Sequence, residues 1–206
     1  MEHGKTKIKL CGMMRPEDIE SANLLRPDLV GFVFAKKSRR YVTEEAVAEM
    51  RALLSRDILA AGVFVNEDAD RVAELLGKGV IDVAQLHGDE DEAYIDSLRK
   101  KTDAPIIKAF RIREHEDIAR IRVPKGVRAL LDAGSGDGMA FVWEWLREVD
   151  LDYYLAGGLT PENVGKAVRN YHPYGVDVSS GIETDGRKDK NKMAAFAEAV
   201  RKENGQ

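Results

Sequence analysis

Cysteine is nearly absent from this chain: one thiol, Cys11, in 206 residues. A lone cysteine makes no internal disulfide, so nothing in the fold can depend on an oxidising compartment. Positive charge is not in excess either. The 32 Lys and Arg are outnumbered by 36 Asp and Glu, for a net charge of −4, which leaves no general basic field for nucleic acid or anionic lipid. Any anionic ligand must therefore be caught locally. No apolar run approaches a membrane span and MEHGKTKIK carries no apolar signal region, so the expected compartment is the cytoplasm. Histidines number only 4, and His3 and His172 lie away from strand ends, which argues against a histidine-rich metal site.

What is present is the composition of an ordinary globular protein, 44% apolar and 33% charged, long enough to bury a full core. Short apolar runs alternate with longer amphipathic segments. The runs are KIKLC, DLVGFVF, ILAAGVFV, DVAQLH, PIIKAF, VRALLD, DYYLAG and YGVDVSS. Between them lie helical patterns such as PEDIESANLL, TEEAVAEMRALL, EHEDIARIR, FVWEWLREV and PENVGKAVRN, and KNKMAAFAEAVRKE closes the series;. Nearly continuous apolar strands imply burial on both faces, as parallel strands covered by helices require. Eight strand–helix units predict an α/β fold, a single closed (β/α)8 TIM barrel over residues 1–206, with an open doubly wound sheet as the alternative;. The basic patch GRKDKNK reads as a solvated helix entrance.

In such a barrel the carboxyl ends of the strands line one mouth. That rule gathers Cys11, His87, Lys108, Asp132, Gly157, Gly158, Asp177, Ser179 and Ser180. A thiol and a carboxylate across one mouth can remove one proton and deliver another. The bland readings are a buried structural thiol for Cys11 and a capping carboxylate for Asp132. In LAGGLTPENV, paired glycines leave a strand, Thr160 can cap and Pro161 suits a first helical turn. GVDVSSGIE adds Ser179, Ser180 and Gly181. Together these two segments predict a phosphate site after the last two strands. A phosphorylated small molecule is the expected ligand.

KIKLCG, GFVFAKKSRRYV, AGVFVNE, AQLHGDE, IIKAF, LLD, GGLTPENV and VDVSSGIE, in this order over nearly the whole chain, resemble phosphoribosylanthranilate isomerase, a tryptophan-pathway enzyme. The resemblance implies an Amadori rearrangement of N-(5'-phosphoribosyl)anthranilate, with Cys11 as general base, Asp132 as general acid, and no metal or organic cofactor. Arg40 matches the family arginine at the anthranilate end of the substrate, with Arg39 as fallback. Gln85 and His87 would line the mouth, and Lys108 and Asp177 are expected to pair with each other or to orient neighbours. For chemistry near neutral pH the thiol needs a modest downward shift, and the aspartate must be held protonated. The chain departs from the family pattern in DAGSGDGMAFVW, where a glycine-serine-glycine element and F-D-W are usual. Either Gly134-Ser135-Gly136 is that element displaced, or Asp137 stands in the serine position. Val142 replaces a common aspartate, and Ala156 a common serine.

Three other readings share the barrel. An indole-glycerol-phosphate synthase-like lyase would use strand-end lysines and an extension before the first strand. A ribulose-phosphate epimerase would need metal-binding histidines. A non-catalytic phosphosugar-binding barrel would not need both Cys11 and Asp132. Monomer and homodimer are both compatible with the sequence.

Overall fold

The computed structural model describes residues 4–132 and 143–205. In it each of the eight apolar runs is a strand: β1 (Lys7–Cys11), β2 (Leu29–Val33), β3 (Leu59–Phe64), β4 (Val83–Leu86), β5 (Ile106–Arg111), β6 (Val127–Asp132), β7 (Tyr153–Ala156) and β8 (Gly175–Val178). Every adjacent pair is parallel, and β8 returns to β1 in the register Lys7↔Gly175 and Lys9↔Asp177, closing the barrel. That pairing removes the open-sheet alternative. The helices are α1 (Pro16–Leu25), α2 (Glu44–Leu53), α3 (Ala69–Gly77), α4 (Glu92–Arg99), α5 (Glu116–Arg120), α6 (Val164–Tyr171) and α7 (Lys190–Glu203). A short antiparallel hairpin, β9 (Glu183–Thr184) and β10 (Arg187–Lys188), stands between β8 and α7.

Helix starts follow their capping residues. The side chains of Thr43, Asp68 and Asp91 accept from the backbone N–H groups of Ala46, Asp70 and Tyr94, and Asp189 accepts from Asn191 and Lys192. Each cap satisfies a donor that the first turn leaves open. Two segments differ from the expected helices. WEWLRE forms a 3-10 helix, Trp143–Glu148, in which Trp143 and Leu146, three apart, fall on one face as that geometry requires. The helix expected from PENVGKAVRN begins only at Val164, with Asn163 at its cap. The Asn163 side chain accepts from Thr160 N–H, holding Thr160 in the preceding turn rather than at the cap.

Strand register decides what faces the barrel interior. Because side chains alternate, the in-phase partners Lys9↔Leu29, Gly31↔Ala61, Ala61↔Val83, Gln85↔Ile107, Ala109↔Leu130, Leu130↔Tyr154 and Ala156↔Asp177 share one face;. Leu29, Ala61, Val83, Ile107, Ala109, Leu130, Tyr154 and Ala156 form a separate apolar cluster on that face. The opposite phase, including Leu10, Phe32, Phe64, Leu86 and Leu131, packs with the helices in the larger cluster. Cys11 and Asp132 are in the inward phase at the carboxyl ends of β1 and β6.

Candidate active site

A cavity of ≈ 380 Å³ opens at the carboxyl end of the barrel. Its wall contains Cys11 from β1, Gln85 and His87 from the end of β4, Asp132 from β6, Gly157 and Gly158 after β7, and Asp177, Ser179, Ser180 and Gly181 from and after β8. Arg40 reaches it from the connection after β2, beside an apolar wall of Val33, Ala35, Val63 and Val65. Every residue that the sequence nominated for base, acid or substrate contact therefore borders one space. Cys11 lies between the glycine–serine segments after β7 and β8 on one side and the apolar wall after β2 and β3 on the other. Asp132 stands three strands from Cys11 around the ring.

Cys11 is buried, and burial pushes its thiol up from the ordinary value. The Lys9 ammonium opposes that shift by charge and hydrogen bonding, and Lys188 adds to the opposition. Lys9 is wholly buried; its Nζ donates to Asp177 Oδ1 at 2.9 Å. The chain turns at Gly12 with φ of +82°, where a Cβ would meet Arg40 Cδ at 2.5 Å. Glycine there allows both the turn and the close passage of the arginine.

Arg40 is held by a fork. Its Nε donates to Glu183 Oε1 at 2.6 Å and its Nη2 to Glu183 Oε2 at 3.0 Å. Lys188 Nζ donates to Glu183 Oε1 at 2.8 Å, and also to Ser179 O at 2.9 Å and Ser179 Oγ at 3.3 Å. Arg39 joins from the exposed side, Nη2 to Oε2 at 2.8 Å, but does not border the cavity. Glu183 loses solvation by burial, yet Arg40 and Lys188 more than compensate, and its carboxyl falls from the usual 4.5 to about 2.

A depressed carboxyl stabilises the fold above pH 4.5, and that contribution disappears as pH falls towards 2;. Glu183→Gln should therefore cost about 2–3 kcal/mol at neutral pH, less than a fully buried pair because Arg40 keeps contact with solvent;. It should also flatten the acid limb of stability between those two pH values. Thermal unfolding of both proteins across pH 2–7 measures this, and parallel curves would contradict it.

Across the cavity, Gln85 Nε2 lies 3.2 Å from His87 Nδ1, and His87 Nε2 lies 3.0 Å from Asp132 Oδ2. With the amide donating, Nδ1 accepts and the ring proton sits on Nε2, directed at the carboxylate. Gln85 Oε1 is buried with no hydrogen-bond partner among the described residues. Such an atom is costly to bury unless something donates to it.

The two glycine-rich segments are pressed together. Gly157 and Gly158 have φ of +88° and +66°. A Cβ on Gly181 would meet Leu159 O at 1.9 Å, backbone that cannot move aside cheaply; only glycine permits this approach. A larger cavity, ≈ 780 Å³, opens at the other end of the barrel between Leu29, Leu59, Ile107 and Tyr154. Its cationic side chains Lys7 and Arg128 are already engaged. Lys7 pairs with Asp28 at 2.7 Å, and Arg128 pairs with Asp152 at 2.7 Å while lying 3.9 Å above the Tyr174 ring. Size alone does not make it the reaction site; the proton donors and acceptors converge at the smaller one. No group of three or more His, Cys, Asp or Glu that could hold a metal occurs among the described residues.

Residues 8–199 match the family model for N-(5'phosphoribosyl)anthranilate (PRA) isomerase. The chain belongs to that family. It is 43% identical over 202 residues to the N-(5'-phosphoribosyl)anthranilate isomerase of Thermoanaerobacter sp. (strain X514), covering 95% of this chain and 98% of the relative. Among solved structures, the Thermotoga maritima phosphoribosyl anthranilate isomerase superposes with a TM-score of 0.88 at 30% identity, over 96% of this chain and 99% of that one. A phosphoribosyl anthranilate isomerase in complex with reduced 1-(o-carboxyphenylamino)-1-deoxyribulose 5-phosphate gives 0.84 at 29% identity, with the same coverage.

Within this isomerase barrel several expectations need correction. Lys108 does not reach the mouth and does not pair with Asp177. It is in the outward phase of β5, and its Nζ donates to Glu90 Oε2 at 3.0 Å and Gly88 O at 2.7 Å. Asp177 takes Lys9 instead. The patch GRKDKNK is only partly a solvated helix entrance. Asp189 caps α7 as expected, but Lys188 is buried beside Ser179 and Glu183. The departure from the family pattern at residues 133–142, with Asp137 and Val142, lies outside the described residues. Sequence reading missed Lys9, Glu183 and Lys188. The parity of KIKLC carried the signal for Lys9, since it stands two residues before Cys11 and must share its face. Glu183 closes the VDVSSGIE stretch, but only the hairpin that follows brings Lys188 and Arg40 against it.

Proposed function

We propose that the chain acts as one catalytic domain that rearranges N-(5'-phosphoribosyl)anthranilate to 1-(2-carboxyphenylamino)-1-deoxyribulose 5-phosphate. The observation that carries this reading is the single cavity shared by Cys11, Asp132, Arg40 and the two glycine–serine segments. Its polarity fits the substrate. The segments around Gly157, Gly158, Ser179, Ser180 and Gly181 take the phosphate, while Arg40 and the apolar wall take the anthranilate. Gln85 Oε1 is available to accept from a ribose hydroxyl.

Asp132 gives its proton to the furanose ring oxygen, the bond from that oxygen to the anomeric carbon breaks, and a Schiff base forms with the anthranilate nitrogen. Cys11 as thiolate removes the proton from the adjacent carbon, the electron pair moves to nitrogen, and an enolamine results. Tautomerisation to the ketone completes an isomerisation in which no atom is gained or lost. His87 Nε2, 3.0 Å from Asp132 Oδ2, orients the carboxyl group for its proton transfer. General acid and base each contribute about 10²–10⁴-fold in such reactions. No described helix is long and apolar enough to cross a membrane. Work in the cytoplasm as a monomer or homodimer is part of the proposal; the Thermotoga maritima relative is described as dimeric.

Anthranilate fluorescence provides the test. Substoichiometric protein should convert an excess of substrate to completion at a rate proportional to protein. A change that saturates at one equivalent would identify a binding barrel instead. The arginine assignment has its own measurement. Arg40→Ala should raise KM about tenfold or more with kcat within about threefold, because the contact is made in ground and transition states alike. Arg39→Ala should leave both nearly unchanged, and the reverse pattern would move the contact to Arg39.

A further inference from the structure

We propose that Lys9 is a positioning residue for the reaction, its buried ammonium set against Cys11 so that the sulfur can give up its proton for the base step. Lys9 does not border the cavity, so it acts on substrate only through the sulfur. The proposal rests on Cys11 being the base.

The geometry is specific to this corner of the barrel. Lys9 and Cys11 share the inward phase of β1, one step apart on that face. Gly31 of β2 lies against both: a Cβ there would stand 2.7 Å from Cys11 Sγ and 3.0 Å from Lys9 Nζ. The missing side chain is the space in which ammonium and thiol meet. Asp177, across the seam in β8, fixes the ammonium from the other side at 2.9 Å. Burial pushes the Lys9 amine down, but Asp177 and Cys11 together outweigh it and keep the amine above its usual range, so the anchored cation stays charged;.

Other charges face Cys11. Asp177 pushes the thiol up, and Lys188 of β10 pulls it down. Arg40, from the connection after β2, passes over Gly12 with its guanidinium committed to Glu183 of β9. Lys188 is likewise committed to Glu183 and to the Ser179 carbonyl. Across the cavity are His87 of the β4 end and Asp132 of β6, joined to each other. Among the cations acting on the sulfur Lys9 has the largest pull, its carboxylate partner is Asp177, and its pull on the thiol exceeds the push from Asp177.

Since Cys11 is the chain's single thiol, alkylation by iodoacetamide reads its thiolate fraction directly, without turnover. The rate is followed against pH in wild type, Lys9→Met, Lys9→Arg and the double variant Lys9→Met/Asp177→Leu. The double variant exchanges the buried pair for apolar side chains of similar total volume and so keeps a fold that a lone buried Asp177 could disrupt. Loss of the ammonium should raise the alkylation midpoint by about one pH unit or more in Lys9→Met and in the double variant, about tenfold slower alkylation near neutral pH. Lys9→Arg, which keeps the charge, should stay within about threefold of wild type. An unshifted midpoint in the folded double variant would overturn the proposal, since a purely structural lysine predicts that result. The kcat profile separates the two readings. If the alkylation midpoint moves and the acid limb of kcat does not, Lys9 governs the thiol but the thiol is not the base.

Discussion

Replacing Cys11 by serine lowers kcat by about 10²–10⁴-fold while the affinity for product changes little. The hydroxyl has a far higher pKa than the thiol, and one ammonium beside it cannot bring an alkoxide into range near neutral pH. The segments after β7 and β8 and the Arg40–Glu183 fork are left in place, so binding should survive. Saturating product should also slow alkylation of wild-type Cys11, because the thiol borders the same cavity. Near-normal turnover by Cys11→Ser would remove the thiol from the mechanism. Unprotected alkylation would place it outside the occupied site.

The burial of Cys11 sharpens that expectation. A thiol in an apolar pocket is held neutral and is a poor base. Here two lysines oppose the burial, each at a carboxylate: Lys9 on Asp177 and Lys188 on Glu183. Asp177 helps keep the Lys9 amine above its usual range, whereas burial draws the Lys188 amine down in spite of Glu183. The same carboxylate that anchors Lys188 also orients Arg40, so the surroundings of Cys11 and the Arg40 end of the cavity depend on one small hairpin, β9–β10. A fault at Glu183 should reach both.

How much of this was legible in the sequence depends on which physical signal each feature leaves. The eight strands were readable because residues buried on both faces leave continuous apolar runs. Closure into a barrel followed from their number and regular alternation. The mouth was readable because strand ends are marked by an abrupt change from apolar to reactive or glycine residues, as at Cys11, Asp132 and Gly157. Lys108 shows the limit of that rule. It lies in an apolar strand near its end, but one position out of phase with Ile107 and Ala109, and the alternation turns it towards Glu90. Lys9 is the converse: parity with Cys11 turns it inward, but only the register of β1 against β8 supplies its partner Asp177, more than a hundred residues away. Local pattern cannot supply a partner at that separation. The helix boundary at Thr160 failed for a smaller reason, since Asn163 competes for the same cap and wins by accepting from Thr160 N–H.

The acid carries the other large effect. Asp132→Asn preserves the shape of the side chain and leaves an oxygen to accept from His87 Nε2, but it has no proton to deliver to the ring oxygen;. Ring opening should then limit the reaction, kcat falling by about 10²–10⁴-fold with product affinity retained. Asp137 offers a contrast, because it places a second carboxylate in the glycine-flanked stretch GSGDG. A carboxylate at the end of β6 is fixed by strand pairing, Asp132↔Ala156, and by His87, and fixed geometry is what proton transfer in a transition state requires;. Asp137→Asn should therefore leave kcat within about threefold of wild type, well short of the loss expected for an essential acid. Steady-state rates and product affinities of the two single variants decide between them. A severe loss confined to Asp137→Asn would transfer the role of acid to Asp137 and leave Asp132 as the residue that orients His87.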